Sequence, residues 1–146
     1  MSRTVQDIMT TDCVTLSPQD SIYDAAVKMK QNDIGFIPIV EGNQLLGVCT
    51  DRDIVLRGVA EKRSENTPVS EVMTQECVTC GPDTDIDEAV RLMSEKQIRR
   101  LCVVDNNQLV GVCAIGDMAV RDIYENEAAQ ALSEISEPSH SQTVTH

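Results

Sequence analysis

A chain of 146 residues can form one compact domain, or two small halves sharing a core, and is too short for a multi-domain enzyme. Its formal charge of −12 would repel a polyphosphate backbone, and one Phe with two Tyr gives bases few stacking platforms, so nucleic-acid binding is not expected. No apolar run approaches the roughly 18 residues that span a bilayer, and the start from Met1 to Asp7 is polar, so a cytoplasmic protein without membrane contact is expected.

Shifted onto itself by 64 positions, Val5 to Arg57 matches Val69 to Arg121 without a gap, and 20 of the 53 pairs are identical. The chain is an internal duplication. Each copy opens on a lead-in that pairs Met9 with Met73 and Thr10 with Thr74. A short extended stretch follows, Cys13-Val14-Thr15 or Cys77-Val78-Thr79. Ser21-x-x-Asp24 and Asp85-x-x-Glu88 are capping-box patterns that open a helix. Its apolar face is made by Ile22, Ala25, Ala26 and Met29, and in the second copy by Ile86, Ala89, Val90 and Met93.

Next come two apolar runs around a turn, which predict a β-hairpin: Phe36 to Val40, Glu41-Gly42-Asn43, Leu45 to Cys49. The second copy repeats it with Leu101 to Val104, Asp105-Asn106-Asn107 and Leu109 to Cys113. A second helix starts near Thr50, and near Ala114 in the second copy, where apolar spacing carries it through Ile123, Ala128 and Leu132. The expected division is repeat one at 1–60, a polar linker at 61–68, repeat two at 69–136, and a flexible tail at 137–146 holding both histidines. The fold class is α+β: two βαββα units, each too small to be comfortable alone, packed sheet to sheet with pseudo-two-fold symmetry. Two copies packed face to face form two related clefts, where a ligand is to be sought.

The order of these motifs, Val-x-[Asp/Glu]-[Ile/Val]-Met-Thr, then Pro18 or Pro82, an Ala-x-x-x-Met helix, and Asn-Gln-Leu-x-Gly-Val-Cys with a closing Asp, resembles the cystathionine-β-synthase (CBS) domain. Two copies resemble the tandem pair known as a Bateman module. The resemblance implies a regulatory module without catalytic activity that binds AMP, ADP, ATP, NAD or S-adenosylmethionine between the copies. It further implies a homodimer acting on a target protein that the sequence leaves unnamed. No cofactor is required beyond an adenine nucleotide as regulatory ligand.

The resemblance also implies where the ligand sits. In Gly47-Val48-Cys49-Thr50-Asp51-Arg52-Asp53, Asp53 would take the ribose hydroxyls, Thr50 would face a phosphate and Arg52 would add a cation. A carboxylate can accept from both hydroxyls of a cis-diol, and a helix start offers amides to an anion. Thr50-x-x-Asp53 is equally a plain capping box. The second copy keeps Asp117 but has Ala114 in place of the hydroxyl, and its Gly116 would allow a close backbone approach. Arg99 and Arg100 would reach phosphates from across a cleft or stand as solvated charges. Adenine recognition would fall to Thr15, Leu16, Ile37 and Pro38 in one cleft and to Thr79, Cys80, Leu101 and Cys102 in the other, positions that also suit a core.

Cys77-x-x-Cys80 has the spacing of a zinc or redox pair, but no second Cys or His pair stands near it, and strand alternation would turn the two to opposite faces. No metal site is expected. Two other classes remain open beside the sensor: a ligand-free dimerisation scaffold, and a thiol redox protein built on Cys77 and Cys80.

Overall fold

The computed structural model describes residues 3–116. In the first repeat, helix α1 (Ile22–Asn32) leads to strands β1 (Phe36–Glu41) and β2 (Gln44–Thr50), then to helix α2 (Asp51–Asp53), which continues as a π-helical segment (Ile54–Val59). The second repeat supplies β3 (Thr79–Cys80), α3 (Ile86–Lys96), β4 (Arg100–Asp105) and β5 (Gln108–Ala114). Single 3-10 turns, Val5–Asp7 and Val69–Glu71, introduce the two repeats.

Local chemistry accounts for these boundaries. Ser21 accepts from the Asp24 amide at 3.0 Å and Asp24 accepts from the Ser21 amide at 3.2 Å, so the capping box closes reciprocally. In the second repeat Asp85 is the cap residue without a side-chain hydrogen bond. There the carboxylates of Asp85, Asp87 and Glu88 crowd one turn, while the Arg3 carbonyl accepts from the Ile86 amide at 3.0 Å, as the Thr67 carbonyl does from the Ile22 amide at 2.8 Å. Both hairpins turn on two residues. The first uses Gly42 at φ 65°, the second Asn106 and Asn107 at 54° and 66°, the left-handed backbone that Gly and Asn tolerate best.

Strand alternation sorts the side chains into two layers. Ile37, Ile39 and Cys49 face α1 within one core, while Leu101, Val103 and Cys113 face α3 in its counterpart. From the opposite faces, Phe36, Val40, Leu45 and Val48 meet Cys102, Val104 and Leu109, so the hairpins pack face to face across the pseudo-two-fold axis. At their tips they also join edge to edge through Gln44 and Gln108, which completes a five-stranded order β1-β2-β5-β4-β3. The extended lead to each repeat pairs later than the sequence indicates. Leu16 bridges Ile39 in parallel, and β3 pairs with β4 at Thr79 and Cys80, because Cys13, Val14 and Cys77 precede the point where the chain comes alongside its hairpin.

Each lead-in packs on the other repeat. Val5 lies in the core of Ile86, Ala89 and Met93, while Val69, Val72 and Met73 lie in the core of Ile22, Ala25 and Met29. Backbone bridges fix the exchange, Thr10 with Val112 and Thr74 with Val48. Glycine makes the crossings possible. A Cβ on Gly47 would stand 2.6 Å from the Thr74 carbonyl oxygen, and one on Gly111 would stand 2.6 Å from Met9 Sδ and 2.9 Å from the Thr10 carbonyl. The two repeats therefore share their cores, and neither is complete without the other's first residues.

Candidate functional site

The crossing lead-ins leave a hollow of about 360 Å³ between the repeats. The first repeat lines it with Thr10, Asp12, Cys13, Val14, Asn32, Ile34, Phe36 and Pro38, and the second with Arg100, Val112 and Ala114. Its size is within the range of small-molecule sites, and it presents an apolar floor with a few convergent polar groups. The side chains of Arg99 and Arg100 make no hydrogen bond or ion pair among the described residues, and both are exposed. Under the 64-residue correspondence, position 36 maps onto 100. A mate to this hollow would thus again contain Phe36 and Arg100, with Thr74, Glu76, Lys96, Cys102 and Thr50 at the positions of Thr10, Asp12, Asn32, Pro38 and Ala114.

Thr50 and Asp53 form the capping box. Thr50 Oγ1 accepts from the Asp53 amide, and Asp53 Oδ2 accepts from the Thr50 amide, each at 3.0 Å. Asp53 is 8% exposed, and among the described residues it is the buried charged side chain. Its carboxylate holds a further partner that the sequence reading left unassigned: Thr74 Oγ1 donates across the repeats, lying 3.1 Å from Oδ1 and 3.2 Å from Oδ2. The repeated Met-Thr pair at 9–10 and 73–74 was the available signal, since Thr74 is placed by its backbone bridge to Val48. Arg52 is exposed.

The remaining candidates divide between core and cleft. Leu16, Ile37 and Leu101 are at most 1% exposed, with Leu16 and Ile37 in the first helix-side core and Leu101 in the second. Pro38 reaches the hollow, and the Thr15 carbonyl accepts from Lys28 Nζ at 2.9 Å. Thr79 lines a separate hollow of about 170 Å³ with Leu45, Gln75 and Cys77. Cys102 is fully buried between the hairpins. The second helix, expected near Ala114, begins at Ile115 and Gly116, and Asp117 with the run through Ile123, Ala128 and Leu132 lies outside the described residues.

The thiols are mostly held neutral. Burial, reinforced by Asp53 and Asp51, pushes Cys49 up to about 12, and burial also raises Cys13, Cys77 and Cys102. Cys80 moves the other way, because the Cys113 thiol hydrogen-bonds to it and favours its thiolate. Cys77 and Cys80 pack in different clusters, so they do not converge on one another. Among the described residues no group of three or more His, Cys, Asp or Glu could hold a metal ion. No helix of these residues is long and apolar enough to cross a membrane.

The CBS domain matches twice, over residues 5–59 and 69–121. The CBS domain-containing protein YhcV of Bacillus subtilis is 48% identical over 132 residues, covering 90% of this chain and 94% of YhcV. The structure of CBSX2 in complex with AMP superimposes with a TM-score of 0.74 at 26% identity, over 84% of this chain and 97% of that one. The CBS domain pair of protein MJ0100, in complex with 5′-methylthioadenosine and S-adenosyl-L-methionine, gives 0.76 at 26% identity, over 86% and 100%. With crossed lead-ins, paired hairpins and a family match in each repeat, the chain belongs to the CBS domain family and is built as a tandem CBS pair.

Proposed function

We propose that this protein is a cytoplasmic regulatory module that binds an adenosine-containing ligand, AMP, ADP, ATP, NAD or S-adenosylmethionine, in the clefts between its repeats. The observation that carries the reading is the hollow of about 360 Å³ built jointly by the two repeats, with Pro38 and Val14 on its walls and Arg100 at its rim. Ligand complexes of the related pairs CBSX2 and MJ0100 support the adenosine class. Arg100 would face phosphate in either cleft. The cleft that begins at Thr50 is the better suited to a phosphorylated ligand, because it would add Lys96, the Thr50 hydroxyl and the Asp53 carboxylate for a ribose diol. The other cleft has Ala114 at the Thr50 position and suits a ligand with less phosphate.

The module acts by population shift: a ligand favours one packing of the repeats by its differential affinity, and an unidentified target protein responds. Tyr23, Val55, Leu56 and Val59 are large apolar side chains left 45% to 66% exposed on α1 and the segment after α2, and they support a homodimer or target contact there. Isothermal titration of the purified chain with AMP and S-adenosylmethionine tests the reading. Saturable binding weakened by Asp53→Asn or Arg100→Ala is expected, and absence of binding by every member of the class would move the function to a scaffold without a ligand.

A further inference from the structure

We infer that Thr74 is a latch on the Asp53 carboxylate, which a ribose-bearing ligand must open in order to be held there; this rests on the ligand site proposed above. A buried carboxylate needs hydrogen-bond partners, and Asp53 takes one from the Thr50 amide at 3.0 Å and one from the Thr74 hydroxyl. The Thr74 oxygen is nearly equidistant from the two carboxylate oxygens, at 3.1 and 3.2 Å. A cis-diol held by one carboxylate needs the same region, one hydroxyl to each oxygen. The diol and Thr74 therefore compete.

The latch is aimed by backbone rather than by a loose loop. Thr74 N donates to the Val48 carbonyl at 2.8 Å, and Val48 N donates to the Thr74 carbonyl at 3.0 Å. Two further ties join the same lead-in to the helical segment beginning at Asp51 and to the turn that follows it. Arg57 Nη1 donates to the Met73 carbonyl at 3.0 Å, and Arg63 pairs with Glu71 at 2.8 Å. Loss of the Thr74 bond removes the one of these ties that ends on the ligand-binding carboxylate. Occupancy of the cleft is thereby coupled to how the second repeat's lead-in sits on the first repeat, and to the segment that carries Val55, Leu56 and Val59. The shift is bounded by the ligand's differential affinity for the latched and open forms.

The test is calorimetric titration of AMP into the wild-type chain, Thr74→Val and Thr74→Ser, with thermal unfolding of each in the absence of AMP. Thr74→Val removes the hydroxyl at nearly constant shape. It is expected to unfold at lower temperature, yet to bind AMP about fivefold to tenfold more tightly, as when one charge-assisted hydrogen bond no longer competes. Thr74→Ser is expected to restore wild-type affinity. If Thr74→Val binds AMP equally or more weakly, the hydroxyl is a structural support and the inference fails while the ligand site stands. Binding by neither form overturns the site, and the latch with it. Hydrogen exchange gives a reading that needs no folded variant. Amides of residues 69–75 in the wild type should exchange faster with AMP relative to the rest of the chain, and unchanged or slower exchange there overturns the latch.

Discussion

Replacement of Gly47 by alanine tests whether the crossed lead-ins hold the two repeats together. The new Cβ would lie 2.6 Å from the Thr74 carbonyl oxygen, 3.3 Å from Gln75 Cα and 3.3 Å from Met73 Sδ. The sulfur can swing aside, but the carbonyl cannot. It accepts from Val48 N at 3.0 Å, so relief of the clash lengthens a bond that fixes the crossing. Overpacking of this kind costs about 1–3 kcal/mol, and a weakened backbone hydrogen bond adds about 1 kcal/mol. Reduced freedom of the unfolded chain returns roughly 0.5–1 kcal/mol. The net loss is about 2 kcal/mol, or roughly 4–8 °C in Tm for a chain of this size. Gly81→Ala is the control, because a Cβ there meets its nearest neighbours at 3.9 Å in ordinary contact. Differential scanning calorimetry of both variants gives the answer. A Gly47→Ala midpoint within about 1 °C of the Gly81→Ala midpoint would show that the close approach at Gly47 does not hold the repeats together.

Ser21→Ala removes a closed cap and should cost about 1 kcal/mol in urea unfolding, whereas Asp85→Ala, which loses no side-chain cap bond, should cost clearly less. Stability should fall as pH rises above about 9, because the folded state keeps Cys49 protonated to about 12 while the unfolded thiol ionises near 9.0. That contribution is complete below the unfolded value and is lost on going up through the folded one; urea midpoints from pH 7 to 10 that stay level would contradict it. Timed alkylation followed by mass spectrometry should label Cys80 well before Cys49 and Cys102, since the thiolate is the reacting species. Arg100→Ala should weaken AMP by no more than about fivefold and leave adenosine nearly unchanged, because an exposed guanidinium contributes at most about 1 kcal/mol and acts on the phosphate alone.

The elements of the fold were legible wherever local chemistry decides them. Ser21 and Thr50 announced helix starts, and the apolar runs on either side of Glu41-Gly42-Asn43 and Asp105-Asn106-Asn107 announced the two hairpins. What stayed hidden depends on distance in space. A 64-residue repeat shows that Val5 and Val69 are equivalent but not that each packs on the other copy, and this exchange builds the hollow. The candidate site was legible in part for the same reason. Thr50, Asp53 and Arg100 carry chemistry in their side chains, whereas Leu16, Ile37 and Leu101 were named only through the family resemblance, and their side chains turn into the cores. Thr74 was visible as a repeated residue, but its role comes from a hydrogen bond spanning 21 positions. The π-helical turn at Ile54–Val59, closed by the Ala60 amide on the Val55 carbonyl at 2.9 Å, has no evident sequence signal.

Thermal unfolding of the wild-type chain and Asp53→Asn, with AMP, ADP, ATP, NAD and S-adenosylmethionine each at millimolar concentration, tests whether the chain binds an adenosine-containing ligand at Asp53. A ligand present at 100 times its dissociation constant adds about 2.7 kcal/mol, or roughly 5–10 °C here. Such a shift is expected with at least one of the five, reduced by the substitution. No shift with any of them would contradict an adenosine-binding module and leave a tandem CBS pair whose function is to hold proteins together.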